Sequence, residues 1–372
     1  MNAWGLRTLG FIYKADWPVG RMRIRAQMKN GQRGLVLVAG GAGFLGSHLC
    51  DALLAEGAHV LCLDNFQTGR RANLRHLERE PRFDVIEADV VHPLPKRLRG
   101  SRFAIGQVFN LACAASPPHY QANPEHTLLT SVVGTHGLLA LAEAKGARFL
   151  LASTSEIYGD PQVHPQPETY WGHVNPTGPR ACYDEGKRAA ETLSFDFARA
   201  GRLDARVARI FNTYGPRMRA DDGRVVSNVI CQALAGEAIT VYGDGSQTRS
   251  FCYASDLIDG LMRLMRHEDR IASAVNLGNP VELTVSDLVA RVLAMTGSAS
   301  PVVTRPLPVD DPQRRRPDIR LAGELLGWAP RVTLEKGLAA TVAWFTDEAA
   351  RQGTEAGEAG RPALAHDGVA AE

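Results

Sequence analysis

Five apolar residues in a row, Leu35-Val36-Leu37-Val38-Ala39, run directly into Gly40-Gly41-Ala42-Gly43-Phe44-Leu45-Gly46. A short uninterrupted apolar run is the pattern of a strand buried on both faces of a parallel sheet. The glycines then dictate the path of the chain beyond the strand. Gly40 permits a tight turn, Gly43 lets the backbone approach a pyrophosphate, and Gly46 lets the next helix pack closely on the sheet. Leu45, Leu49 and Leu53 recur at helical spacing as far as Gly57. The loop therefore opens a helix whose N-terminus offers unpaired N–H groups and partial positive charge to phosphates. The spacing predicts a dinucleotide site.

Strands and helices go on alternating. Ala58–Leu63, Phe83–Ala88, Gln107–Leu111, Arg148–Ala152 and Ala205–Ile210 read as strands, with helices over Pro124–Ala144 and from Lys187 to Ala200. Such alternation predicts an α/β fold, a doubly wound parallel Rossmann sheet with helices on both faces. Beyond Phe211 the elements shorten and the loops grow rich in Gly, Pro and Arg. Helices are expected over Val229–Leu234, Leu257–Met265, Val285–Met295 and Leu334–Phe345. We read 34–213 as the NAD-binding domain and 214–346 as a smaller, partly interleaved C-terminal α/β lobe that closes over a ligand. Residues 347–372 read as a disordered tail. Residues 1–33 read as a disordered extension, or as a mis-assigned start with translation beginning at Met28.

Asp64 closes the second strand, where a carboxylate accepts hydrogen bonds from the adenosine ribose and repels a ribose phosphate. NAD is expected over NADP on that ground. Arg70-Arg71, shortly after, would in principle reach a 2′-phosphate. Asp89 ends the third strand and would bond the adenine amino group. A second motif, Tyr183-Asp184-Glu185-Gly186-Lys187, places a lysine on the same helix face as a tyrosine. A free phenol titrates near 10, and the lysine charge, with a nicotinamide cation, is expected to lower it toward working pH. The fifth strand ends in Ala152-Ser153-Thr154-Ser155-Glu156, putting hydroxyls and a carboxylate at the sheet edge where ligands bind. Thr154 or Ser155 would bond the reacting oxygen and share its proton with Tyr183.

The bulk numbers remove other classes. A net charge of +2 with scattered basic residues gives no reason to expect nucleic acid. Six cysteines without a C-x-x-C fit reduced thiols in a cytoplasmic enzyme, and no metal-ligand cluster is visible. No apolar stretch is long enough to span a bilayer, so no membrane partner is expected.

The two motifs resemble those of the extended short-chain dehydrogenase/reductases, and longer runs resemble UDP-glucuronate decarboxylase, also called UDP-xylose synthase. Asn110-Leu111-Ala112 with Ser116 to Tyr120, Ala152 to Pro161, His164-Pro165-Gln166 and Tyr170-Trp171-Gly172 carry the likeness. So do Cys182 to Lys187, Ile210 to Met218, Gly223 to Asn228 and Val241 to Phe251. The likeness covers about residues 34 to 346. It implies NAD-dependent decarboxylation of UDP-glucuronate to UDP-xylose and CO2 through a 4-keto sugar, in a homodimer pairing through the helices around Pro124–Ala144 and Tyr183–Ala200.

The same likeness implies site residues. Around NAD it places Gly40, Gly43, Phe44, Leu45, Gly46, Asp64, Asn65, Phe66, Thr68, Gly69, Asp89, Val90, Leu111, Ala112, Thr130, Tyr183, Lys187 and Thr213. Around the UDP-sugar it places Tyr120, Glu156, Asn212, Arg224, Tyr242, Gln247, Arg249 and Arg315. Tyr183, Lys187, Thr154, Ser155, Glu156 and Arg315 would carry catalysis. Glu156 beside the sugar carboxylate implies either repulsion that favours expelling CO2 or a protonated Glu156. Two positions depart from the family: Leu129 stands where a lysine is usual, and Ala114 where a proline is usual. A UDP-sugar 4-epimerase, a nucleotide-sugar 4,6-dehydratase and a non-catalytic NAD-binding regulator remain the alternatives.

Overall fold

The computed structural model describes residues 34–100, 103–307 and 314–359. The expected N-terminal extension, the loop at 311–313 and the last part of the expected tail lie outside them. The six strands read from the sequence are β1 (Leu35–Ala39), β2 (Val60–Asp64), β3 (Phe83–Glu87), β4 (Ile105–Asn110), β5 (Arg148–Thr154) and β6 (Ala205–Ile210). Together with a seventh, Val275–Leu277, they form one sheet that is parallel throughout. Across the sheet the order is Val275–Leu277, β6, β5, β4, β1, β2, β3. The winding direction reverses between β1 and β4, so their carboxyl ends leave the crevice in which open α/β sheets hold ligands.

Every residue of β1 and of β2 is buried. Along β1 the side chains alternate, with Val36 and Val38 in one apolar cluster and Leu35, Leu37 and Ala39 in another on the opposite face. Helices cover both faces. Those that matter for the site are α1 (Phe44–Ala55), α2 (Pro124–Lys145, with one π turn at Thr130–Gly134) and α3 (Ala181–Arg199). By length and composition α2 would cross a membrane, against the expectation that no stretch is long enough. Half of its apolar window is buried inside the fold, and it packs on α3 and β4. A helix that covers a sheet face is apolar for that reason.

Beyond residue 213 some segments return to the sheet and others do not. The helix Ala254–Arg266, the strand Val275–Leu277 and Trp328 belong to the same buried cluster as α1 and the even face of β1. The intervening segments build a separate lobe. There the strand Thr248–Ser250 lies between Glu282–Thr284 and Arg314–Arg315, and Ile239–Tyr242 pairs with Val302–Arg305. At the other end, the helix Leu334–Ala359 continues well past residue 346, where disorder was expected. Buried Leu338 and Phe345 anchor its first turns, and the Ala- and Glu-rich sequence beyond favours continuing the helix.

Candidate active site

One cavity of about 560 Å³ runs from the glycine loop to Arg315. At its first wall Gly40 adopts φ +79°, and a Cβ there would lie 2.6 Å from the Leu111 carbonyl carbon. At Gly46 a Cβ would meet the Gly40 oxygen at 2.0 Å. Any side chain at either position would push α1 away from the β1–β4 crevice. Gly43 caps α1 without a side-chain hydrogen bond, so the first amides of the helix, at Phe44, Leu45 and Gly46, face the cavity unpartnered by the helix itself. Such a cradle, too tight for any Cβ and lined by amide donors, fits a dinucleotide pyrophosphate.

Asp64 holds this cradle in place. Its carboxylate accepts from the Ala42 amide and the Phe66 amide, both at 2.8 Å. Burial raises its pKa, and these two amide bonds offset part of the rise. Two of its four acceptor sites remain for ribose hydroxyls. Asp89 is busier. It accepts from the Val91 amide, from Asn65 Nδ2 at 2.9 Å and from His126 Nε2 at 2.8 Å. Thr130 Oγ1 stands 3.4 Å from the other nitrogen of His126. Thr68, Leu111 and Thr213 line the cavity, whereas Asp64, Asn65, Phe66, Gly69, Asp89, Val90, Ala112 and Thr130 stand behind its wall.

The proton-transfer residues meet at the carboxyl end of β5. Tyr183 on α3 hydrogen-bonds to Thr154, and Lys187 Nζ lies 5.8 Å from the centre of its ring. Lys187 donates at 2.9 Å to the Ala152 carbonyl, which fixes its ammonium against the strand that carries Thr154. Tyr120 stacks on Tyr183, with ring centres 5.0 Å apart and ring planes nearly parallel, and is not among the residues lining the cavity. Burial pushes the Tyr183 phenol well above its ordinary value, and the Thr154 bond lowers it only in part. Burial also lowers Lys187. Both shifts are those of the protein without the nicotinamide cation that the sequence reading placed beside the phenol.

Glu156 is the most constrained carboxylate in the cavity. Arg315 Nη1 pairs with one of its oxygens and Arg180 Nη2 with the other. Burial favours the neutral acid, but the two guanidiniums outweigh it and hold Glu156 well below the usual carboxylate range. Of the two states the sequence reading admitted, the two guanidiniums favour the ionised one in the protein without substrate. Arg315 arrives by long-range pairing: its strand lies parallel to Thr248–Ser250, in register with Arg249. Buried Gln166 fastens the next residue, its amide donating to the Arg316 carbonyl and its Oε1 accepting from the Arg316 amide, both at 2.9 Å. This gives His164-Pro165-Gln166 a physical purpose.

Ser155, Asn212, Arg224, Tyr242, Gln247 and Arg249 line the same cavity. Arg224 is paired with Asp222 and Gln247 donates to the Tyr242 carbonyl at 2.5 Å. Leu129 is half-buried and does not line the cavity, and Ala114 packs with Tyr120 and Tyr183. Sequence reasoning missed Arg180, Cys113 and Arg217, which also line it. For Arg180 a signal existed. It occupies the N-cap of α3, where a cation opposes the helix dipole, and a broken local rule marks a functional position. Among the described residues no group of three or more His, Cys, Asp or Glu is placed to hold a metal ion.

Comparison with known proteins agrees with this geometry. Residues 36–278 match the NAD dependent epimerase/dehydratase family. UDP-glucuronic acid decarboxylase 1 of Danio rerio is 53% identical over 317 residues, covering 85% of this chain and 74% of that protein. Among solved structures, UDP-glucose 4-epimerase of Thermotoga maritima with UDP-glucose is 30% identical with a TM-score of 0.77, covering 85% of this chain and 99% of that one. UDP-glucuronic acid 4-epimerase of Bacillus cereus, in complex with UDP-glucuronic acid and NAD, is 27% identical with a TM-score of 0.75, covering 84% and 99%. The chain belongs to the NAD dependent epimerase/dehydratase family, beside its UDP-glucuronic acid decarboxylases.

Proposed function

We infer that this protein converts UDP-glucuronate to UDP-xylose and carbon dioxide, with NAD recycled in each turnover. The observation that carries the reading is Glu156, held ionised between Arg180 and Arg315 in the cavity that also holds the Tyr183–Thr154 pair. Bound NAD takes two electrons from sugar carbon 4 and later returns them. The protein's own groups do the rest. Thr154 and Tyr183 form the path by which the hydroxyl proton at carbon 4 leaves, and they donate back to the oxygen when negative charge builds there. With carbon 4 oxidised, the carboxylate lies β to a ketone. The carbon–carbon bond breaks and its electron pair moves toward the ketone oxygen as neutral CO2 leaves, while Arg180 and Arg315 hold Glu156 in place beside the reacting sugar. One proton is taken up for each CO2 released, and the net redox change is zero.

Arg224, Arg249 and the amides at the N-terminus of α1 provide donors suited to two separate pyrophosphates, one of the substrate and one of NAD. The exposed Leu128 and Val133 on α2 support a homodimer that pairs through α2 and α3, which size-exclusion with light scattering would test. All six cysteines are free, which supports a reducing, cytoplasmic setting. The central experiment is incubation with NAD⁺ and UDP-glucuronate labelled at the carboxyl carbon. NMR is expected to show UDP-xylose and labelled bicarbonate. UDP-galacturonate that keeps its labelled carboxyl would instead make the protein an epimerase.

A further inference from the structure

Arg70 and Arg71 follow β2 six and seven residues after Asp64, and the reaction uses neither. Arg70 ends the loop after β2 and Arg71 opens a short helix, Arg71–Leu77. This loop is pressed onto the cofactor cradle: the Arg70 amide donates to the Ala42 carbonyl at 2.9 Å, and a Cβ added at Gly69 would fall 2.7 Å from Asp64 Oδ1. An arginine at such a place is the natural ligand for a ribose phosphate, because its planar fork donates two hydrogen bonds at once. Each of the two, however, has a carboxylate on it. Arg71 pairs with Glu87 at 2.6 Å and lies 4.0 Å over the Phe66 ring. Glu87 is the register partner of Asp64 across β2 and β3. Arg70 Nη2 pairs with Glu348, which comes from the far end of the chain, on the helix Leu334–Ala359. Both side chains of that pair are largely buried. Glu348 and Glu87 thus each engage one of the two guanidiniums.

We propose that Glu348 is a cofactor-specificity residue: by engaging Arg70 it withholds the guanidinium from the ribose and keeps the site selective for NAD over its 2′-phosphorylated counterpart. The inference rests on the NAD reading of the glycine loop and adds to it a determinant supplied by the C-terminal helix. Asp64 repels a phosphate directly, whereas Glu348 removes the cation that would compensate for that repulsion. Glu348 touches neither the cradle nor the proton-transfer residues, so its effect on NAD itself is expected to be small.

The test is displacement titration of the full-length protein with NAD⁺ and with NADP⁺. In Glu348→Gln, affinity for NADP⁺ relative to NAD⁺ is expected to rise about tenfold, the scale of one charged hydrogen bond regained. Affinity for NAD⁺ should stay within about twofold of the parent. Adding Arg70→Ala to Glu348→Gln should return the ratio to its parental value. Arg351→Gln, which removes the other cation near Glu348 at 3.5 Å, serves as a control for helix disturbance and should leave the ratio unchanged. An unchanged ratio in Glu348→Gln, a parallel fall in both affinities, or a gain that survives loss of Arg70 would each overturn the proposal. Failure of the parent to bind NAD⁺ would sink the underlying reading instead, so the two failures are distinguishable.

Discussion

Gly46 and Arg315 stand on opposite walls of one cavity, and they reach it by different routes. Gly46 is placed by its neighbours: seven residues from Gly40 to Gly46 make the turn, the cradle and the helix start, and the apolar run before them makes the strand. Arg315 is placed by strangers. Thr248–Ser250 gives it a strand to lie on, Gln166 fastens the backbone beside it, and Glu156 orients its guanidinium. The cofactor wall is thus shaped first by its own local sequence, with Asp64 fastening it. On the substrate wall the dependence is reversed, since loss of any one of several remote residues loosens the rest.

The largest effect should fall where the walls meet. Tyr183→Phe removes the phenol bonded to Thr154 and is expected to cut UDP-xylose formation by about a thousandfold, read by NMR, while NAD binding survives. Arg315→Met tests the remote wall. It leaves Glu156 buried with Arg180 alone among the described partners, and should destabilise the protein by about 3–4 kcal/mol in urea unfolding. The double variant with Glu156→Gln should recover much of that loss. If Arg315→Met unfolds like the parent, the ion pairs do not organise the wall.

Gly46→Ala tests the local wall. The clash with the Gly40 oxygen is expected to weaken NAD binding by about a hundredfold while leaving binding of UDP, measured by calorimetry, within about twofold. Equal loss of both would break the distinction between the walls.

The smallest effect concerns Asp184, which stands beside Tyr183 and Arg180 on the first turn of α3. Burial first, then the nearby charge of Glu156, raise its pKa to about 8, and its Oδ1 has no hydrogen-bond partner among the described residues. The folded state therefore keeps a proton that the unfolded chain gives up near pH 4, so stability falls as pH rises from about 4 to 8 and levels off above. Asp184→Asn cannot ionise. Between pH 5 and 9 it should lose less stability than the parent in urea unfolding.

Legibility divided along the same line. β1 was visible because a strand buried on both faces is apolar along its whole length, and the other five sheet strands by short runs rich in apolar residues. Val275–Leu277 was not, because three residues carry no periodicity and its place beside β6 depends on a chain return of some sixty residues. The glycine cradle, Tyr183, Lys187 and Thr154 were readable as motifs, since close backbone approach and one helix face each demand particular residues at particular spacing. The desolvation of Tyr183 was not readable, because burial is a property of the whole fold. Arg180 went unread for a related reason: its partner, Glu156, is twenty-four residues away and on another element.

Local chemistry alone therefore determined the parallel sheet, the dinucleotide loop and the pairing of a phenol with a lysine on one helix face. Those features are set by spacing within a few turns or one strand. Only the tertiary structure decided that Glu156 is ionised, that Tyr183 is desolvated, and that a glutamate near the chain's end holds an arginine beside the cofactor loop. Charge state depends on which groups share a buried volume, and residues distant in sequence are brought into that volume by the packing of the sheet against the lobe.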